Sequence, residues 1–403
     1  MRSLRTSALL AATLWSAACT TPVDEPGSTL PGRCDAEAPL ISAQKTDLLF
    51  VIDNSGSMAD EQAAIARELP AFLEELRQGN GVEQDFRVGV ITTSVYLRAS
   101  FDTGEVFKLY NDQGGRLQPV KNAAGYATAE RFLDGKDPDL LEKFRRLVRQ
   151  GTGGSGQESP FEAARLALTP PLSTQPLEEG GNGGFLRDGA RLLVVVVSDE
   201  DDCSSTERPP PVAVSEDTAR DLCHEQAERL TPVSEYVRLF HTLEDGTGAT
   251  REVLWATIGP VGLGDKRAEQ VLDVTAKGTY VRNADCPTSF GAGYRQRELA
   301  ERFDSGLGNL DSICRADFRA TLVSIATLAR SSQSIEVVNL PDPRLAQVRV
   351  TRADGSVQTC SVAGGQLTYE PSAQGRAARL YFQSSCPRLL TDTRLEVKLL
   401  CAN

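Results

Sequence analysis

Asp53, Ser55 and Ser57 stand two residues apart directly after an apolar run, in the stretch Asp47-Leu48-Leu49-Phe50-Val51-Ile52-Asp53-Asn54-Ser55-Gly56-Ser57-Met58. A run of strand length that ends in Asp-x-Ser-x-Ser delivers one carboxylate and two hydroxyls to a tight loop. All three are hard oxygen donors, of the kind that Mg2+, Mn2+ or Ca2+ prefer. The bland use of the same residues is a helix N-cap, where Ser and Asp are favoured in any case. A second apolar run, residues 192–197, ends in Ser198-Asp199-Glu200-Asp201-Asp202. If the two runs are neighbouring strands of one sheet, Asp53, Ser55, Ser57 and Asp199 converge beyond their carboxyl ends, where ligands of open α/β sheets bind. Glu200, Asp201 and Asp202 form a candidate second cation site, set against the plain alternative of a solvated acidic loop.

Elements must hold these residues in place. Between residues 45 and 334 strand and helix patterns alternate: strands at 48–52, 86–92 (FRVGVIT), 192–197 (LLVVVV) and 252–258 (EVLWATI), with helices at 60–76, closed by Gly81, and at 317–328. The alternation predicts an α/β fold, a Rossmann-like doubly wound sheet covered on both faces. The region exceeds the ~100–200 residues usual for one domain. The excess reads as loop insertions at 97–137, 170–187, 203–223 and from 259 through the Cys286 region, at the end of a sheet where ligands bind. Residues 335–403 change to alternating runs at 347–351, 357–362, 379–383 and 394–399, joined by turn residues such as Asp354-Gly355. They predict a small C-terminal antiparallel β-domain.

With its strand context and with Asp199, the Asp53-x-Ser55-x-Ser57 motif resembles a von Willebrand factor A domain, over most of residues 45–334. The stretch Asn182-Gly183-Gly184-Phe185-Leu186-Arg187, then a Val-rich strand and residues 198–204 (SDEDDCS), is similar to a group of bacterial A-domain lipoproteins. The resemblance implies a metal-ion-dependent adhesion site. In it two Ser and a Thr from a middle loop approach the metal, two Asp assist directly or through water, and one position stays open for a partner's carboxylate. The Thr position falls in the Gly-rich loop 151–160 before a helix at 161–168, and spacing puts Glu158 there, with Ser159 next. Thr152 is the hydroxyl alternative if that loop folds back. A third carboxylate at Glu158 would hold the cation more tightly and favour Ca2+ alongside Mg2+. It would also make the metal less attractive to a partner. The expected cofactor is a divalent cation, Mg2+ first, with Ca2+ or Mn2+ as alternatives.

The amino terminus reads as a signal segment over 1–18. Arg2 and Arg5 precede an apolar stretch too short to span a bilayer, which ends Ser16-Ala17-Ala18-Cys19. Small residues before Cys resemble a lipoprotein box with lipid on Cys19; plain cleavage after Ala18 is the alternative. The chain has nine cysteines, so committing Cys19 to lipid leaves Cys34, Cys203, Cys223, Cys286, Cys314, Cys360, Cys386 and Cys401. An even set suits disulfides in an oxidising compartment. Proximity favours Cys203–Cys223 and Cys286–Cys314, and the other four stay unpaired on sequence grounds. Residues 19–44, Pro- and Gly-rich over 20–33, read as a lipid-anchored tether.

Removing residues 1–18, which hold two Arg and no acid, takes the formal charge from −12 to −14. Such an exterior disfavours nucleic acid and anionic membranes, so any membrane contact is assigned to the anchor alone. The Gly-rich loop lacks the Gly-Lys-Ser/Thr ending of a nucleotide-binding loop. His224-Glu225-Gln226-Ala227-Glu228 lacks the second His of a zinc-protease helix, and no Gly-x-Ser-x-Gly elbow occurs. With two histidines in the chain, little is left for general-base work, and no enzyme is expected. The expectation is a metal-dependent adhesion module that takes an acidic side chain of a protein ligand, displayed from the outer membrane on a lipid anchor. A structural envelope component whose metal only stiffens the loops is the alternative.

Overall fold

The elements follow from where apolar runs can be buried on both sides. The computed structural model describes residues 44–78, 84–215, 217–330, 334–373, 377–383, 385–389 and 392–400. Strand β1 (Gln44–Ile52) leads through helix α1 (Ala59–Gln78) to β2 (Gln84–Thr92). A hairpin follows, β3 (Tyr96–Phe101) and β4 (Gly104–Leu109), then the short β5 (Phe132–Asp134). Helices α2 (Leu140–Leu147) and α3 (Pro160–Leu168) precede β6 (Arg191–Val197). Next come β7 (Val214–Ser215), α4 (Leu222–Glu225), α5 (Val233–His241) and β8 (Val253–Gly259). A second hairpin, β9 (Gln270–Thr275) and β10 (Gly278–Asn283), leads to α6 (Tyr294–Phe303), β11 (Leu310–Ser312) and α7 (Arg319–Arg330). The remainder is β12 (Ser334–Val337), β13 (Ala346–Arg352), β14 (Val357–Ser361), β15 (Leu367–Glu370), β16 (Ala378–Phe382) and β17 (Asp392–Leu399).

The largest sheet has the order β11-β8-β6-β1-β2-β5. Its first five strands are mutually parallel, and β5 runs antiparallel on the β2 edge. Side chains alternate across β1, as strand geometry requires. Leu48, Phe50 and Ile52 join Leu69 and Phe72 of α1, Phe144 of α2 and Leu322 of α7 in one buried cluster. Leu49 and Val51 join Phe161 of α3, Phe240 of α5, Trp255 and Leu299 of α6 in another. Burial on both faces is why β1 and β6 read as unbroken apolar runs. Register sets the functional end: Ile52 lies opposite both Thr92 and Val197. The three strands therefore finish level, and Thr93, Asp53 and Ser198 emerge side by side.

The expected fold class is corrected. The chain is mixed α/β with many small sheets, 24% helical and 31% strand, so strand outweighs helix. The main sheet is mixed rather than parallel. The segments read as insertions pair with one another: β4-β3-β7 is one separate sheet and β10-β9 another. The C-terminal strands form two three-stranded antiparallel sheets, β12-β16-β15 and β14-β13-β17, around their own core of Ile335, Val348, Leu380 and neighbours. The β3–β7, β12–β16 and β13–β17 pairings join runs distant in sequence, which a local pattern cannot reveal; β7 has only two residues.

Disulfides join Cys203 to Cys223, Cys286 to Cys314 and Cys360 to Cys386. The first two are the pairs that proximity favoured. Cys19, Cys34 and Cys401, the signal segment and Gly81 lie outside the described residues. Cys286 is fully buried against the α7 side of the sheet. Replacing Cys286 and Cys314 by Ser is expected to lower unfolding stability by ~2–5 kcal/mol. Urea titration of the double variant checks this, and an unchanged midpoint would show that the bridge contributes nothing.

Candidate functional site

At the carboxyl edge of the sheet β1 gives way to a loop fixed by its own polar groups. Asp53 N–H still pairs with Val197 O at 2.9 Å, and Thr93 N–H with Ile52 O at 3.2 Å. Asp53 Oδ1 then accepts from Ser55 N at 2.7 Å, and its Oδ2 accepts from the Ser198 hydroxyl at 2.6 Å. The hydroxyls of Ser55 and Ser57 lie 3.1 Å apart, and Ser57 Oγ donates to Asp199 Oδ1 at 3.2 Å. Asp53, Ser55, Ser57 and Asp199 are thus joined in one network. The apolar strands carry them there because β1 and β6 pair directly.

The Gly-rich loop closes over this network. From α1, Gln62 donates to Asp53 O at 2.7 Å and to Gly151 O at 2.9 Å, and it accepts from Gly151 N at 3.1 Å. Gly154 N–H bonds Asn54 O at 2.8 Å. A Cβ at Gly154 would lie 2.2 Å from Asn54 Oδ1, so this close approach needs glycine. Glu158 is pinned by its neighbours. Its carbonyl accepts from Cys203 N at 2.7 Å, and the next residue, Ser159, donates its N–H to Thr93 O at 3.1 Å.

The Glu158 side chain is 1% exposed, and neither carboxylate oxygen has a hydrogen-bond partner. The Thr93 hydroxyl is likewise buried without one. Asp53 and Asp199 are 0% and 1% exposed. Burial, then the charges of Asp53, Glu200 and Asp199, raises the Glu158 carboxyl well above its ordinary range. Asp199 is raised the same way by burial and then by Asp53. Burial also raises Asp53, against hydrogen bonds from Ser198 and Ser55. Buried carboxylates this close together, one of them with two unpartnered oxygens, have a charge that a bound cation would balance. The donors suit a hard cation: Asp53, Glu158 and Asp199 with the hydroxyls of Ser55 and Ser57. Among the described residues no three His, Cys, Asp or Glu are grouped so as to hold a metal ion by themselves.

Thr152, the hydroxyl alternative, is exposed, whereas Glu158 is buried beside Asp53. The acidic run after β6 divides. Asp201 accepts from the N–H groups of Arg295 and Gln296 at the start of α6, each at 3.1 Å. Asp202 accepts from Arg295 Nε at 3.0 Å and from Phe161 N at 3.2 Å. Only Glu200, of the three, has a carboxylate with no hydrogen bond among the described residues. Thr93 and Ser198 were not singled out as site residues from sequence. The available signal was position, each being the first residue past a strand that ends level with β1.

No protein-family model matches the chain, and no curated protein matches it. Among solved structures it is similar to the pilus adhesin SpaC from Lactobacillus rhamnosus GG, at 11% identity and TM-score 0.36, covering 90% of this chain and 40% of that one. It is similar to proximal thread matrix protein 1 from the mussel byssus, at 14% identity and TM-score 0.30, covering 75% and 51%. The pilus adhesin RrgA from Streptococcus pneumoniae follows at 8% identity and TM-score 0.29, covering 92% and 57%. The chain spans less than two thirds of each, and likenesses this distant do not bear on activity. The von Willebrand factor A identification drawn from the motif is corrected: no family model supports it.

Proposed function

We propose that this chain is an exported protein-binding module of the adhesion kind, dependent on a divalent cation at the Asp53 loop, and not an enzyme. The observation that carries the reading is Glu158, buried with both oxygens unpartnered beside Asp53 and Asp199. Mg2+ is the first choice of cation, with Ca2+ or Mn2+ as alternatives, because every donor is a hard oxygen. Gly56 is exposed and Ser57 half-buried, so this loop is the part of the site that a partner can reach. A cation there would be a local positive centre on a chain of net charge −12, and an acidic side chain of a protein partner would be repelled everywhere else. Three disulfides support export, because such bridges persist in oxidising compartments. Lipid on Cys19 and an outer-membrane location complete the proposal and rest on the Ala17-Ala18-Cys19 signal alone.

One observation favours a second reading, in which the cation only stiffens the loops of an envelope component. Three nearly inaccessible carboxylates can satisfy a divalent charge without outside help. Pull-down from intact envelopes separates the two readings. Adhesion predicts that a partner is captured by wild type in Mg2+, lost in chelator, lost with Ser55→Ala and strengthened with Glu158→Thr. Capture unchanged across all four leaves only the structural reading. The same preparation with Cys19→Ser is expected to lose the protein from the membrane fraction; retention there would remove the anchor.

A further inference from the structure

Beside the Asp53 loop, on the flank formed by the 199–203 segment and α4, lies a cleft of about 200 Å³. Its polar lining is one-sided. Glu158, Glu200, Asp201, Asp217 and Asp221 face it, with Arg220 as the single base. Arg220 is already held by the Glu225 carboxylate. Asp201 is committed to the amino end of α6, and one oxygen of Asp221 caps α4 through His224 N at 3.0 Å. Two carboxylates remain without hydrogen bonds among the described residues. One is Glu200. The other is Glu158, which is almost completely buried, lines the cleft, and leaves both oxygens unused. The other walls are apolar: Leu222, Val281 and Phe290.

We propose that this cleft binds an organic cation carried on an aliphatic stem, namely a Lys or Arg side chain of a bound protein segment. The volume, the apolar walls and the acidic floor suit the two halves of such a side chain, whose methylenes pack on apolar surface while the head seeks charge. An ammonium or guanidinium offers three or five donors to carboxylates that have none. Glu200, Asp217 and Asp221 line one cleft together, so an incoming cation meets several carboxylates at once. The site is separate in chemistry from the proposed metal, although Glu158 borders both.

Three blocked amino-acid amides serve as probes: N-acetyl-arginine amide, its lysine counterpart, and N-acetyl-citrulline amide, which has the shape of the first without its charge. Titration calorimetry is run on the full folded chain in Mg2+ and again in chelator. The arginine and lysine compounds are expected to bind in both buffers, with the citrulline compound at least about tenfold weaker. Glu200→Gln and Asp221→Asn are each expected to weaken the charged probes about tenfold. Asn keeps the α4 cap, and melting temperatures confirm that both variants fold. Equal binding of the citrulline compound, or unchanged affinity in both variants, would overturn the proposal. Displacement of the arginine compound by Ca2+ at stoichiometric amounts would also overturn it, by making the cleft an inorganic cation site. Binding that persists in chelator while Mg2+ has no effect on stability would sink the metal reading and leave the cleft intact.

Discussion

Mg2+ at a hundred times its dissociation constant is expected to stabilise the folded chain by ~2.7 kcal/mol. For a domain above 150 residues this is a melting shift of roughly 5–11 °C, and Asp53→Ala should abolish it. Asp53, Glu158 and Asp199 are buried together; burial raises all three carboxyls, and neighbouring carboxylates raise Glu158 and Asp199 further, whereas hydrogen bonds oppose the rise at Asp53. Such groups hold protons more tightly in the folded chain than in the unfolded one. Without cation, their contribution to stability is therefore full below pH ~4 and is lost as pH rises toward the folded values. A bound cation replaces those protons and restores the stability at neutral pH. Glu158→Gln removes one of the charges. In chelator at pH 7 it should be at least as stable as wild type, by ~1–3 kcal/mol if the orphaned charge dominates. In Mg2+ it should gain less than wild type. Thermal melts of the three proteins in Mg2+ and in chelator decide the matter. An equal Mg2+ gain in Asp53→Ala would place the cation elsewhere, and no gain in wild type would remove the cation reading.

What could be read from the chain is tied to strand ends. Asp53 and Asp199 each follow an apolar run, and the direct pairing of β1 with β6 was enough to bring them together. Glu158 was legible through its spacing to α3. Thr93 was not, because a hydroxyl after a strand has many ordinary uses and only the level register of β1 and β2 gives it significance. The run Glu200-Asp201-Asp202 looks uniform as a sequence. Its members separate only through Arg295 and Gln296, more than ninety positions away, which occupy two of the three carboxylates. The class of the fold was misjudged for a similar reason. The β3–β7 pairing and, in the C-terminal sheets, the β12–β16 and β13–β17 pairings depend on contacts between distant runs, and β12 and β15 are four residues each with little pattern to reveal them.

The same distinction between local pattern and distant partner governs the second large effect, at the opposite end of β1. Asp47 opens the apolar run yet is fully buried, a position that only partners can justify. Arg187 supplies them: its Nε donates to Asp47 Oδ1 and its backbone N–H to Oδ2, both at 2.8 Å. Arg187 also donates to Asp85 Oδ1 at 2.7 Å and to Thr46 O at 3.1 Å, so one guanidinium fastens β1, β2 and the entry to β6. Arg251 stands 3.8 Å from the same carboxylate and is itself almost inaccessible. Asp47→Ala leaves two largely buried cations facing no charge from this residue, and is expected to cost ~3–5 kcal/mol. Adding Arg187→Met to it should cost less than the sum of the two single changes, since each single change strands the other's partner. Asp47 and Asp53 are six strand steps apart, about 20 Å at ~3.3 Å per residue, so the cation affinity should not move. Urea midpoints of the single and double variants, with Mg2+ titrations of the folded fraction, test both halves. Additive losses would mean that Asp47 and Arg187 act independently despite their contact. A changed cation affinity would mean that the far end of β1 reaches the site through the strand.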